Sequence, residues 1–167
     1  MLRFCGTDLW AHLVKLAKAR EPKRMAIAYY SADSHVRFGG GDTLIVDASI
    51  KAIQSGQTSP TVLLAAARRG AHVYSHPRLH AKILLTGRCA IVGSANLSTT
   101  SRGLREAGVL LTNRRQLDDV ARYLDWLKKE ASRLSDGELR TLCKVPRAPS
   151  ASRAAVGVKP SLLEGMR

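Results

Sequence analysis

LHAKILLTGRCAIVGSANL, residues 79–97, is the stretch that decides the fold of this chain. Its two short apolar runs, residues 82–86 and 89–92, predict two strands that fold into a hairpin at Gly87-Arg88. Residues two apart in a strand point to the same side, so His80 and Lys82 share one face. The hairpin therefore pairs a nucleophile with a cation near one strand end.

The chain leaves the second strand through the polar turn Gly93-Ser94-x-Asn96. A glycine lets the backbone approach a ligand closely, and the two polar side chains offer hydrogen-bond donors. A His, a Lys and an amide at one point suit an anion that is attacked at its central atom. Lys82 and Asn96 would stabilise charge on phosphoryl oxygens, and neutral His80 would attack phosphorus.

This pattern, His-x-Lys followed by Gly-Ser-x-Asn, resembles the phospholipase D superfamily of phosphodiesterases. The residues that follow it, as far as Glu106, look like the single-motif, nuclease-like branch. The resemblance is strong over residues 79–111, fainter over residues 26–78, and absent from both ends. At one position the chain departs from the family pattern: Gly87 stands where the family usually carries an Asp, and the interval to Gly93 is shorter.

The resemblance implies a fold and a set of site residues. The fold is phospholipase D-like, and the catalytic residues are His80, Lys82, Asn96 and Glu106. Phosphate binding falls to Lys82, Ser94 and Asn96. In the resembled family a Glu at this position orients the motif His, so Glu106 takes that role here. No metal and no cofactor are implied.

The composition is strongly basic, with 27 Lys and Arg against 13 Asp and Glu and a formal net charge of +14. A basic folded body predicts a polyanionic partner, either nucleic acid or an acidic membrane surface, and charge alone does not choose between them. A basic protein that is merely soluble has the same composition. A chain of 167 residues is long enough to form one domain with a hydrophobic core.

Three cysteines, Cys5, Cys89 and Cys143, are widely spaced and include no Cys-x-x-Cys pair. Neither a disulfide framework nor a thiolate metal site is suggested, which fits a reducing compartment. Residues 1–20 lack the continuous apolar core of a signal peptide, and no run approaches the roughly 20 apolar residues of a membrane span. We therefore expect a cytoplasmic protein with no integral membrane association.

The rest of the chain reads as alternating strands and helices. Strands are predicted at residues 25–30, 44–46, 71–75 and 106–112, a turn at residues 47–49 leads into residues 50–53, and helices are predicted at 9–21, 60–70, 117–134 and after 136. The order strand, helix, strand predicts a βαβ crossover. We predict an α/β fold with a mixed, largely parallel central sheet and helices on both faces. Residues 1–144 form the catalytic domain, and residues 145–167 a basic, disordered tail.

Two further patterns suggest sites that we consider improbable. Three histidines, His72, His76 and His80, are spaced by four, which on a helix would stack them as metal ligands. Pro77 and the strand character of residues 71–74 break that geometry. The triple glycine at residues 39–41 lacks the Gly-Lys-Ser/Thr ending of a phosphate-binding P-loop, so we interpret it as an ordinary loop.

A single His-x-Lys motif poses a physical problem. Phosphodiester exchange through a nucleophilic His also needs an acid for the leaving oxygen and a base that activates water. A symmetric homodimer supplies both, because a two-fold axis through the pocket brings a second His80 to face the first. The resemblance implies the same arrangement. The coupled histidine pair predicts a bell-shaped pH profile.

The sequence is consistent with three functions. The first is a metal-independent nuclease or phosphodiesterase acting on DNA or RNA through a phosphohistidine. The second is a phospholipid hydrolase or phosphatidyl transferase, which would need an exposed apolar lip for acyl chains. The third is an inactive nucleic-acid-binding module, which becomes the answer if the acid missing at Gly87 is needed to balance the lysines.

Overall fold

A computed structural model describes residues 2–32 and 36–148. Within these ranges the chain forms strands and helices in alternation. The strands are β1 (Leu2–Cys5), β2 (Arg24–Ile27), β3 (Thr43–Val46), β4 (His72–Ser75), β5 (Lys82–Leu85), β6 (Ala90–Gly93), β7 (Gly108–Leu111) and β8 (Ser132–Arg133). The helices are α1 (Leu9–Ala17), α2 (Ile50–Gln54), α3 (Pro60–Arg68), α4 (Thr99–Arg102), α5 (Arg114–Glu130) and α6 (Asp136–Leu142).

All eight described strands belong to one sheet, in the order β1-β7-β6-β5-β2-β3-β4-β8. Among them only the β2–β3 and β3–β4 pairs are parallel, and every other pair is antiparallel. The predicted largely parallel sheet is therefore wrong, whereas the βαβ crossover from β3 to β4 is confirmed. The hairpin accounts for the difference, because β5 pairs antiparallel with β2 and is followed by the antiparallel strands β6 and β7.

Helices flank the sheet on both faces, as predicted. Side chains alternate along β2, so Met25 and Ile27 join one buried cluster while Ala26 joins another. The first cluster also holds apolar residues of α1, α3 and α6. The second holds the buried stripe of α5, which consists of Leu117, Leu124 and Leu127. The chain thus has an α/β fold with one mixed sheet between two apolar layers.

The ends of the sheet differ most from the prediction. Strand β1 was not expected, and β8 begins where α5 was expected to continue. The helix ends at Glu130 because Ala131 is extended, and the next two residues pair with β4. The predicted tail, residues 145–167, lies outside the described residues from 149 onward. Its first residues follow α6, and the Ala148 N–H donates to the Gln54 carbonyl at 2.9 Å.

No helix in residues 2–32 and 36–148 is both long enough and apolar enough to cross a membrane.

Two glycines let β6, β7 and α1 approach one another closely. A Cβ on Gly108 would lie 2.7 Å from the Val92 carbonyl oxygen and 3.0 Å from a Leu9 methyl carbon. A Cβ on Gly93 would lie 2.8 Å from the Ala107 carbonyl oxygen. The contacts with the two carbonyl oxygens are backbone contacts that no side-chain rotation relieves. The paired strands β6 and β7 therefore require glycine at both positions.

Gly108→Ala is expected to lower the free energy of unfolding by about 2–3 kcal/mol, because the added methyl group overpacks a backbone contact. Urea denaturation measures the loss. Gly40→Ala is the matched control, since a Cβ there meets nothing within 4 Å. That variant should stay within about 0.5 kcal/mol of the parent. An equal loss in both variants would contradict the close approach of β6, β7 and α1.

Candidate active site

The predicted motif residues His80 and Lys82 lie at the strand ends of the sheet, where the start of β5 meets the end of β2. Lys82, the first residue of β5, pairs with Ile27, the last residue of β2. The pairing continues outward, because the Ala28 N–H donates to the Ala81 carbonyl at 2.9 Å. His80 is exposed and Lys82 is half-buried. Leu84, two residues beyond Lys82, packs into the cluster that contains α1, so the shared face predicted for His80 and Lys82 is the α1 face.

A carboxylate clamp ties the polar turn to the next strand. One oxygen of Glu106 accepts a hydrogen bond from the Ser94 hydroxyl, and the other accepts one from the Ser101 hydroxyl. Ser94 Oγ in turn accepts from the Ala107 N–H at 3.0 Å, and Ser101 Oγ accepts from the Asn96 N–H at 2.9 Å. Both carboxylate oxygens are thus held by hydroxyls. Glu106 therefore fixes the backbone on which Ser94 and Asn96 sit.

The amide of Asn96 is oriented by the backbone of the segment that follows β2. Its Oδ1 accepts a hydrogen bond from the Tyr29 N–H at 3.3 Å. Because the oxygen is engaged, the NH2 group is the part of the amide that remains for a ligand. The side chain also lines a cavity of about 330 Å³. Asn96 is therefore oriented to donate hydrogen bonds into this cavity.

Lys82 connects the motif electrostatically to Glu106. Its Nζ donates to the His80 carbonyl at 2.9 Å. Burial lowers the pKa of the Lys82 ammonium below its ordinary value, and the charge of Glu106 raises it in part. The charges of Lys82 and Glu106 therefore interact electrostatically. An anion bound between them would strengthen the charged form of Lys82.

The predicted hydrogen bond from the His80 ring to Glu106 is not present between these two described residues. Both carboxylate oxygens are occupied by serine hydroxyls instead. In this structure the carboxylate positions the polar turn. The orienting role toward His80 that was assigned from the resemblance stays a prediction.

The cavity beside Asn96 is lined by residues most of which have polar side chains, but neither His80 nor Lys82 is among them. The lining residues are Tyr29, Ser55, Gly56, Gln57, Asn96, Ser98, Thr100, Ser101, Leu104 and Glu106. Leu104 is the large exposed apolar side chain among them. The structure thus places Asn96 and Glu106 at this cavity and His80 and Lys82 outside its wall.

Gly87 lies at the turn of the hairpin, at the end of β5 remote from the motif. Five residues separate it from Lys82, about 16 Å along an extended strand. A carboxylate nevertheless occupies its neighbourhood, because a Cβ on Gly87 would lie 2.1 Å from Glu21 Oε2. The Nε of Arg88 lies 3.7 Å from the other oxygen of Glu21. The carboxylate of Glu21, in the segment before β2, thus lies beside Gly87, where the family pattern has an acid. This position is far from Lys82.

Asp47 was not predicted as a site residue, yet it anchors the loop that carries His80. It follows β3 directly and is buried. Its Oδ2 accepts the Arg78 N–H at 3.1 Å, and its Oδ1 accepts the Ser49 N–H at 2.9 Å. Arg78 has a positive φ of 64°, a conformation that a non-glycine residue adopts only when its surroundings hold it. A lone Asp after an apolar strand was the sequence signal available for this contact.

Two other predicted patterns resolve into ordinary contacts. His72 Nδ1 lies 3.0 Å from Arg133 Nη2, and His76 Nδ1 lies 3.0 Å from the Pro77 carbonyl oxygen. These rings engage partners other than each other. The glycine loop is closed by Asp42, whose Oδ2 accepts the Gly39 N–H at 2.9 Å.

Several solved structures have the same architecture as this chain. Over 80% of its length the chain matches 97% of Nuc from Salmonella typhimurium, a phospholipase D family member, with a TM-score of 0.61 and 12% identity. It matches 99% of NucT from Helicobacter pylori with a TM-score of 0.62 and 12% identity. Phosphatidylserine synthase from Haemophilus influenzae is matched over 39% of its own length and 80% of this chain, with a TM-score of 0.56 and 14% identity.

The protein is therefore an α/β protein with a single mixed sheet that carries its polar cluster at one edge. Its fold is that of the phospholipase D superfamily, as the motif predicted. Neither a family sequence model nor a curated protein matches the chain. At identities this low the likeness concerns the fold alone.

Proposed function

We propose that the protein is a metal-independent phosphodiesterase, and specifically a nuclease that cleaves DNA or RNA through a phosphohistidine intermediate in a site shared by two copies. The observation that carries the proposal is that Lys82 begins β5 beside the end of β2, while the segment that continues β2 binds the amide of Asn96 through the Tyr29 N–H. His80 is exposed two residues before Lys82. The phospholipase D fold supports phosphodiester chemistry as the reaction class.

In the first step a ring nitrogen of His80 attacks phosphorus in line and forms a P–N bond. The P–O bond to the leaving group breaks, and its oxygen takes a proton from the protonated His80 of the second copy. In the second step that neutral His80 removes a proton from water, whose oxygen attacks phosphorus. The P–N bond then breaks and both histidines return to their starting forms.

Lys82 and Asn96 hold the non-bridging oxygens while negative charge develops on them. Preorganised donors of this kind stabilise the transition state more than the ground state, because they need no rearrangement as the charge appears. The backbone fixed by the Glu106 clamp keeps the amide in position. Ser94 contributes less, since its hydroxyl donates to Glu106.

Two copies are needed because one chain offers a single His-x-Lys motif. His76 and His72 engage Pro77 and Arg133, so neither replaces the missing acid. A two-fold axis through the pocket gives one composite site per dimer, with one His80 as nucleophile and the other as acid and base.

Nucleic acid is the preferred substrate for two reasons. The net charge of +14 attracts polyanions over long distances. The cavity beside Asn96 is lined mostly by residues with polar side chains, and Leu104 is the one large exposed aliphatic side chain among them, so this cavity has no continuous apolar lip for acyl chains. The free thiols of Cys5, Cys89 and Cys143 fit the cytoplasm as the compartment.

A cleavage assay in excess EDTA tests this function. Supercoiled plasmid, single-stranded DNA, RNA oligonucleotides and phosphatidylcholine or phosphatidylserine vesicles are offered separately, and products are followed by gel and by phosphate-ester analysis. Cleavage of a nucleic acid in EDTA is expected, with trapping of a phosphorylated histidine after acid-free quenching. Turnover of lipid alone would favour a phospholipase or phosphatidyl transferase, and tight DNA binding without cleavage would leave an inactive module.

Gly87→Asp, which restores the acid of the family pattern, is expected to leave the cleavage rate within about threefold of the parent. The position is remote from Lys82 and is already served by Glu21. The added carboxylate should instead lower the free energy of unfolding by about 1 kcal/mol, because it displaces and repels the Glu21 carboxylate. Glu21→Gln in the same chain should remove the repulsion. A cleavage rate raised tenfold by Gly87→Asp would mean that the missing acid limits catalysis.

A further inference from the structure

A second cluster of chemically reactive side chains lies outside the proposed active site, where β1 meets α1. Cys5 is the last residue of β1, Asp8 is the residue before α1, and His12 lies in the second turn of that helix. One ligand atom from each of the three lies within 4.8 Å of the other two. Across the described part of the chain, this is the only group of three such residues that close together.

Local geometry explains why the three side chains meet. Asp8 and His12 are four residues apart at the start of a helix, so they lie on the same side, and Asp8 Oδ2 is 3.1 Å from His12 Nε2. The turn of Gly6 and Thr7 folds the end of β1 back against this side. Cys5 is fully buried in the cluster that contains Leu9, so its thiol faces α1.

We propose that Cys5, Asp8 and His12 bind one divalent cation of the zinc class, with water as the fourth ligand. A tetrahedral zinc site has bonds of about 2.0–2.3 Å, which puts its ligand atoms roughly 3.3–3.8 Å apart. The ligand atoms of this cluster lie within 4.8 Å of one another, so they have to close in by roughly 1 Å to reach that range. Thiolate, imidazole and carboxylate together favour zinc or cobalt over magnesium or calcium, which prefer oxygen ligands alone.

Asp8 supplies the negative charge that a cation would meet, and Cys5 adds a second negative charge once its thiol is deprotonated. Arg3 Nη2 donates to Asp8 Oδ2 at 2.9 Å, which leaves the other carboxylate oxygen for a metal. The positive charge of Arg3 opposes a cation here, and the thiolate charge must offset it. The Asp8 and His12 side chains are 39% and 19% exposed, which gives a cation a path to the buried sulfur. On binding, Cys5 releases its thiol proton to solvent, and His12 contributes the lone pair of a neutral ring nitrogen.

A bound cation would link the edge strand β1 to α1. Leu9, the first residue of that helix, packs against the positions of Gly93 and Gly108, which lead to the polar turn. A bound cation would therefore stabilise the packing of α1 against β6 and β7. It is independent of the proposed phosphodiesterase chemistry, since none of its residues belongs to that site.

The test measures metal binding directly on the full-length chain. Protein dialysed against chelator and then against buffer is titrated with Zn²⁺ against a chromophoric competitor, and with Co²⁺ by absorption spectroscopy. We expect one Zn²⁺ per chain, a rise in melting temperature on zinc addition, and a thiolate-to-cobalt charge-transfer band in the near ultraviolet. Binding should weaken as pH falls, because protons compete for the sulfur and the imidazole.

Two variants and one control decide the assignment. Cys5→Ser should abolish the charge-transfer band, and His12→Ala should weaken zinc affinity at least tenfold. Cys143→Ser, at an exposed cysteine far from the cluster, should bind like the parent. If Cys5→Ser fails to fold, the other two variants decide the assignment. The cobalt charge-transfer band should persist in Cys143→Ser and be lost in His12→Ala. Absence of stoichiometric zinc binding, or equal binding by His12→Ala, would overturn the proposal.

Discussion

His80→Ala is expected to lower the rate of phosphodiester cleavage by about 10³-fold or more. In the shared site the substitution removes the nucleophile of one copy and the acid and base of the other, and each of these roles alone is worth orders of magnitude. Because His80 is exposed and carries no core contact, the free energy of unfolding should stay within about 0.5 kcal/mol. Single-turnover cleavage of a labelled oligonucleotide in EDTA measures the rate, and urea denaturation measures the stability.

The matched control for this substitution is His72→Ala. His72 is also exposed, but it begins β4 at the opposite edge of the sheet, beside Arg133. Its removal should leave the cleavage rate within about threefold. Full activity in His80→Ala would refute the assignment of the motif, and an equal loss in both variants would indicate damage to the fold rather than to the chemistry.

Mixed dimers test whether the two copies share one site. Differently tagged wild-type and His80→Ala chains are co-expressed, and the heterodimer is purified through both tags. A shared site predicts a heterodimer nearly as inactive as the homodimeric variant, because it lacks either the nucleophile or the acid. Independent sites predict half of the wild-type activity. A preparation that is active and monomeric by native mass spectrometry would exclude sharing altogether.

The hairpin and the motif were predictable because their signals are local. Strand periodicity, a glycine at the turn and a polar break after the second strand all occur within residues 79–97. The observed strands, Lys82–Leu85 and Ala90–Gly93, differ from the prediction by one residue at each shifted end. The longer helices also followed from their apolar spacing, with α5 closest to a complete amphipathic stripe, whereas the short polar helix α4 was not predicted.

Strand direction was not predictable, because it depends on which distant strands become neighbours. β5 lies between β6 and β2, and the second of these pairings joins residues about sixty positions apart in the chain. A strand, helix, strand pattern in one part of the sequence favoured parallel pairing throughout, although parallel pairing occurs only among β2, β3 and β4. The edge strand β8 has two residues, too few for a periodic pattern to emerge. In β1 three of the four residues are exposed, so no buried face imposes an apolar alternation.

The partners of Glu106 illustrate the same limit within the site. An acid at the entry to a strand needs a partner when it leaves water, and the sequence offered nearby arginines for that purpose. The structure pairs it with two serine hydroxyls instead, one from the polar turn and one from α4. Ser101 is 4% exposed. Its segment is polar, so only the three-dimensional packing identifies this hydroxyl as a buried link.

Lys82→Met is expected to lower the maximal cleavage rate by about 10²–10³-fold, the usual cost of removing one preorganised donor to a developing negative charge. Methionine retains most of the aliphatic length, so packing against the half-buried stem should change little. Lys51→Met, at an exposed lysine of α2, is the matched control and should leave the rate within about threefold. If both substitutions had the same small effect, Lys82 would contribute no more than general positive charge.

The pH dependence separates the charge of Lys82 from its position. Burial lowers the pKa of Lys82 and the charge of Glu106 raises it in part, so Glu106→Gln should lower that pKa further. The ammonium must be charged to hold phosphoryl oxygens, so cleavage falls as pH rises through its pKa. Glu106→Gln should therefore move this alkaline fall to lower pH. Lys82→Arg should abolish it, because a guanidinium stays protonated throughout. Rate profiles in which neither substitution moves the alkaline fall would show that the field between Lys82 and Glu106 does not govern the reaction.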